Sequence, residues 1–329
     1  MRIFFNFLKF LFIFLIFTDF TFADVPIPSQ DFKLATDWYI NPNHAPILVG
    51  LVKGYFQQEG LNLILISPAE SQSPVKLLAT GQVDMIIDYQ PQLIQAIAKN
   101  LPVQFAGNLI PEPLSCLTVL QSSNIKTLTD LEGKKIGGSI SGFSGSTTLT
   151  MLKNAGVNTQ KIIFISVGMN LSQALLSHKV DAIYGMSRNV EPVQLSTMGI
   201  KTRLFYPENY GIPSYSELVF AVNKNKANPE KINAFMRALS RSVVDLQAHP
   251  EQDWELVSQS KQFHDQLAET PEISQENHAI WNQTISYFTP YPTFQSYKTY
   301  NHYVQFAMDQ NLLDQDISFD RYVFNPTDT

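Results

Sequence analysis

Short apolar runs alternate with helix-forming segments along the first two-thirds of the chain, and this alternation restricts the fold more than any other feature. Phe32 to Ala35, Leu61 to Ile66, Val83 to Ile87 and Val103 to Leu109 read as strands. Ile47 to Gln58, Pro74 to Ala79 and Pro91 to Lys99 read as the helices between them. A second series opens with Leu117 to Gln121. It continues through strands at Lys135 to Ser139, Ile162 to Ser166, Asp181 to Tyr184 and Thr202 to Phe205, with helical stretches in the gaps. Strands alternating with helices predict parallel sheets covered by helices on their faces. Leu218 to Val222 is one further strand. From Asn228 onward only helices fit, the first marked by Asn228 as N-cap and Pro229 at the first helical position.

Two α/β series followed by a helical tail predict an α/β protein of two lobes. Residues 24–116 with 218–329 form the first, and residues 117–217 the second. The crossovers fall near Cys116 and Glu217, and a cleft lies between the lobes. The apolar fraction, 44% of 329 residues, suits a globular core. The net charge of −6, with no basic stripe, argues against nucleic acid as a partner. Arg2 and Lys9, the apolar run Leu11 to Phe17, and Thr21-Phe22-Ala23 form a secretory leader cleaved after Ala23, so export to the periplasm is expected. With Cys116 as the only cysteine, no internal disulfide can form. The six histidines are dispersed, and neither a metal nor a cofactor is expected.

The densest set of recognition groups is Asp37-Trp38-Tyr39-Ile40-Asn41-Pro42-Asn43-His44, a loop between the first strand and the first helix. Such loops line the ligand crevice of open sheets. Trp38 offers a plane for stacking. Asp37 can accept from an amine or cap the loop. Asn41 is explained equally by a turn at Pro42 or by ligand contact, and His44 equally by structural or ligand hydrogen bonding. Asp88 and Tyr89 end the strand Val83 to Ile87 and point to the same crevice, with Tyr89 a second stacking face. Ser141, Gly142, Ser144 and Gly145 form a hydroxyl-rich, glycine-containing strand-to-helix loop suited to an anionic group. Asn189 and Glu191 follow another strand, where the Glu191 carboxylate can accept from N–H donors of a ligand and Arg188 can instead pair with it or latch the lobes. Tyr210 and Tyr215, bracketing Gly211-Ile212-Pro213, can close over a ligand or form a rigid turn. The aromatic run from Tyr287 to Tyr303 is expected to dock the helical tail on the first lobe.

These pieces carry a family resemblance. Asp37-Trp38, Asn43-His44, Gly54-Tyr55-Phe56, Asp130-Leu131-Glu132-Gly133-Lys134-Lys135-Ile136-Gly137, Asn189-Val190-Glu191 and Tyr210-Gly211-Ile212-Pro213-Ser214-Tyr215 resemble the periplasmic solute-binding proteins of the thiamine-pyrimidine type. The resemblance implies a type II periplasmic binding fold with a hinged cleft and no catalytic residues. It also implies a small heteroaromatic ligand, an ABC permease in the inner membrane as partner, and a monomer. The yeast-type hydroxymethylpyrimidine phosphate synthase is similar as well. Its reactive Lys and His positions match Asp88 and Gln92 here, and its cysteine-rich loop matches residues 211–216, which hold no cysteine. Asp cannot form a Schiff base with pyridoxal phosphate, so the resemblance implies binding rather than synthesis. A sulfonate or nitrate binder is the remaining alternative.

Overall fold

A computed structural model describes residues 29–67, 73–138 and 142–325, and the segment expected to be a leader lies outside them. Two five-stranded sheets organise the chain. The first holds β1 (Gln30–Ala35), β2 (Leu61–Ile66), β3 (Met85–Asp88), β4 (Val103–Ile110) and β10 (Leu218–Asn223), in the order β2-β1-β3-β10-β4. The second holds β5 (Ser115–Leu120), β6 (Lys135–Gly138), β7 (Ile163–Ser166), β8 (Ala182–Ser187) and β9 (Thr202–Phe205), in the order β7-β6-β8-β5-β9. With their helices the sheets make two α/β lobes.

The sheets are not all parallel. β10 runs antiparallel to both β3 and β4, and β5 antiparallel to β8 and β9. Both exceptions are the strands entered straight from a crossover. They do not close a β–α–β unit, so the direction rule for such units does not bind them. β3 and β10 are buried along their whole length, as expected of central strands covered on both faces.

Phe235 holds the first lobe together. It sits on the helix Pro229–Ala248, stacks on Phe32 and Phe56 at 5.5 and 5.2 Å, and meets Phe220 edge-on at 5.1 Å. Asn228 caps that helix as expected, its side chain accepting from the backbone N–H groups of Glu230 and Lys231. A Cβ at Gly50 would lie 2.4 Å from Ser242 Oγ, so glycine lets the helix Ala45–Val52 approach it closely. The helices Pro250–Ser258 and Pro271–Thr284 pack on the same core through Trp254 and Trp281. Of the aromatic run, Phe288, Tyr300 and Tyr303 are buried as docking residues. Tyr291, Phe294 and Tyr297 remain exposed, which corrects the expectation for those three.

The chain leaves the first sheet after Ile110 and enters the second at Ser115, so Cys116 lies inside β5 and the crossover just before it. It returns between Phe205 and Leu218. The two passages are tied by Glu217. Its buried carboxylate accepts from the backbone N–H groups of Leu114 and Ser115, and from Ser115 Oγ at 3.0 Å.

Candidate functional site

The loop after β1 is built by its own side chains. Thr36 Oγ1 donates to the Trp38 carbonyl at 2.7 Å and starts the turn. Asn41 Oδ1 accepts from the Asn43 N–H at 2.8 Å, and Asn41 Nδ2 donates to the Tyr39 carbonyl at 2.8 Å. Buried and bonded at both amide atoms, Asn41 forms the turn. His44 Nδ1 accepts from the Asn41 N–H at 3.3 Å, so the ring proton belongs on Nε2. From there His44 donates to Asp37 Oδ1 at 3.0 Å, while Tyr89 Oη donates to Asp37 Oδ2 at 2.8 Å. The Asp37 carboxylate is therefore held between two elements in one orientation. Each of its oxygens keeps a lone pair for a further donor. Tyr89 thus anchors Asp37 through its hydroxyl, a contact the sequence did not indicate.

Trp38 is half-buried and Tyr39 exposed, their rings 5.7 Å apart and tilted by 44°. At the end of β3, Asp88 is buried with Oδ2 lacking a hydrogen-bond partner. Burial first, and then the nearby Asp37 charge, push its carboxyl up to about 7, against one backbone hydrogen bond from Tyr89 that favours ionisation.

The second lobe brings Asn189 and Glu191 to this loop. β8 runs on to Ser187, so residues 188–190 form the turn and Glu191 opens the helix Glu191–Thr197. Glu191 accepts from the Ser187 N–H at 2.8 Å, and burial pushes its carboxyl up to about 7. The Tyr39 hydroxyl is shifted up by burial and then by Glu191, with Glu276 adding to the effect, so both acids lie toward it. Asn189 is fully buried. Its Nδ2 donates at 2.7 Å to Asn43 Oδ1 and at 2.7 Å to Thr284 Oγ1, both on first-lobe elements.

Other expectations change. Arg188 does not pair with Glu191; it makes a two-pronged ion pair with Glu208 at 2.6 and 3.0 Å and lies 4.3 Å over the Tyr206 ring. Tyr215 is no lid: it is 1% exposed and packs edge-on against Tyr303. Tyr210 packs on Phe205 of its own lobe. Ser141 and the side chain of Ser144 lie outside the described residues, and Gly142 begins the helix Gly142–Asn154. A Cβ at Gly145 would stand 3.7 Å from Tyr184 Oη. Cys116 is buried, with its thiol pushed up to about 12 chiefly by burial. Sequence reasoning missed Glu217, Thr284 and the Gln194 Nε2 to Glu276 Oε1 hydrogen bond of 2.6 Å. No spacing signal links residues so far apart in the chain.

Among the described residues no group of three His, Cys, Asp or Glu side chains is placed to hold a metal ion, and no helix is long and apolar enough to cross a membrane. The site offers an aromatic face, carboxyls that can accept from N–H groups, and amides. It suits a planar ligand rich in hydrogen-bond donors.

Several known proteins resemble this chain. The family described as NMT1/THI5 like matches residues 41–253. A Haemophilus influenzae protein named for thiamine biosynthesis is 36% identical over 294 residues, 89% of this chain and 91% of its own. A formylaminopyrimidine-binding protein of Halalkalibacterium halodurans is 29% identical over 67% of each chain. A 4-amino-5-hydroxymethyl-2-methylpyrimidine phosphate synthase of Aspergillus parasiticus is 28% identical over 77% of this chain and 75% of its own. Among solved structures, the periplasmic aliphatic sulphonate binding protein SsuA of Escherichia coli superposes with a TM-score of 0.66, covering 91% of this chain and 93% of its own at 14% identity; that likeness speaks to the fold.

Proposed function

Because the chain belongs to the NMT1/THI5-like family, we propose that it is an exported, periplasmic solute-binding protein delivering a thiamine-related aminopyrimidine to an ABC permease. The formylaminomethyl form is the preferred ligand. One observation carries this reading: the carboxylate of Asp37, clamped by His44 and Tyr89, belongs to the same loop as the half-buried Trp38, the loop that the Asn189–Glu191 turn meets. An aminopyrimidine presents a flat ring to stack, an exocyclic amine to donate, and a ring nitrogen that Glu191 can serve when either partner holds the proton. The relative that binds formylaminopyrimidine supports the same ligand class.

The mechanism is recognition followed by hinge closure. The ligand touches both lobes, favours the closed form by its differential contacts, and the closed shape is what a permease reads. Two other readings have less support. A synthase of the pyridoxal type needs an amine where this chain has Asp88, whose carboxyl cannot form a Schiff base. A sulfonate binder needs a cation in the cleft, whereas Arg188 is committed to Glu208.

Titration calorimetry of the purified protein with the aminopyrimidine is the test. Saturable heat is expected for the native protein. Trp38→Ala should weaken binding by about tenfold or more, in line with about 1.5 kcal/mol for an aromatic contact. Absence of heat with any aminopyrimidine, together with tight binding of an alkyl sulfonate, would overturn the ligand.

A further inference from the structure

Asn189 has two halves in different circumstances. Its nitrogen is spent: both protons go to first-lobe acceptors, Asn43 Oδ1 and Thr284 Oγ1, each at 2.7 Å. Its oxygen is fully buried and accepts no hydrogen bond. The orientation of the amide follows from Thr284. That hydroxyl gives its own proton to the Ile280 carbonyl at 2.7 Å, so it can only accept from Asn189, and the atom facing it must be the nitrogen. Asn43 in turn stands in the turn that carries His44, which orients Asp37.

A buried amide oxygen without a donor is costly, whereas the same oxygen paired with an N–H is not. Thr284 and Glu276 belong to the helix Pro271–Thr284, which lies beyond residues 41–253, the span matched by the family. That helix packs against both the turn Pro42–His44 and the helix Glu191–Thr197, and the Gln194–Glu276 hydrogen bond makes a second tie across the same seam.

We propose that Asn189 couples ligand recognition to lobe closure: its nitrogen latches the second lobe to Asn43 and Thr284, and its oxygen takes an N–H donor from the ligand. The inference rests on the aminopyrimidine reading for the second half alone; the latch stands apart from it. It makes Thr284 a positioning residue and restricts the ligand class to heteroaromatics with a free N–H. Sulfonates and nitrate, which carry only acceptors, leave the oxygen unpaired.

The test has two arms. Small-angle scattering of the ligand-free protein compares native with Thr284→Val plus Gln194→Ala; the double variant should show a larger radius of gyration. Calorimetry then compares the aminopyrimidine with an analogue whose exocyclic nitrogens are fully methylated and so carry no N–H, on native protein, Thr284→Val and Asn189→Ala. Thr284→Val should lose about fivefold to tenfold in affinity for both compounds alike, because it weakens closure only. Asn189→Ala should in addition lose the preference for the N–H compound. Unchanged scattering overturns the latch whatever the ligand proves to be. A preference kept in full by Asn189→Ala overturns the donor requirement.

Discussion

Asp88 is the residue whose chemistry departs furthest from its surroundings. A carboxyl raised from 3.8 to about 7 holds a proton in the folded protein that the unfolded chain has already released. Between pH 4 and 7 folding therefore takes up protons, and stability falls as pH rises through that window, by up to about 1.4 kcal/mol per pH unit for one such group. Above the folded value the loss is complete and the curve is flat. Asp88→Asn should flatten part of this slope, raising the melting temperature at pH 8 and leaving it little changed at pH 4. Glu191, also raised to about 7, and Glu217, Asp253 and Glu276, which burial shifts up as well, keep their own shares of the slope. Thermal melts of both proteins across pH 4–8 are the check. At this scale part of the arrangement was legible: His44 and Tyr89 meet at Asp37, and the Asn189–Glu191 turn meets the same loop, as their positions near strand ends predict. What each does was less legible. Whether a tyrosine stacks or donates, as at Tyr89, or is buried, as at Tyr215, depends on neighbours contributed by distant segments.

At the scale of elements, the crossovers show what a one-dimensional pattern leaves out. Periodicity placed nearly every strand to within a few residues, because apolar runs of strand length between turns carry that signal locally. It could not show that β10 inserts between β3 and β4, or that β10 and β5 run antiparallel to their neighbours, since neither fact has a local cause. Nor could it show that Glu217, just before β10, would gather three donors from the opposite crossover. Those three hydrogen bonds use both carboxylate oxygens. Glu217→Gln leaves one oxygen to accept and turns an NH₂ toward a donor. The expected cost is about 1–3 kcal/mol, the penalty for leaving buried polar groups unpaired. Denaturant melts read it as a lowered midpoint with an unchanged slope. Glu217→Asp, which keeps both oxygens but shortens the reach, should fall in between.

For the whole molecule, the sheet orders set a sequence of events in time. The second sheet is made entirely from residues 115–205, whereas the first needs β10, at residues 218–223, to fill the gap between β3 and β4. A chain emerging from its N-terminus thus holds β1 to β4 in an unfinished state until more than a hundred further residues have followed. β3 and β4 present open edges throughout that interval, and open edges invite pairing with other chains. The second lobe, enclosed by the two crossovers, can complete itself first. A chain truncated after Glu217 should therefore protect the amides of β5, β6 and β8 from hydrogen exchange while those of β3 and β4 exchange freely. Equal protection of both sheets in that fragment would contradict the order. The strand that arrives late acts as a timer: it delays the closing of the first lobe until nearly seven-tenths of the chain has been delivered.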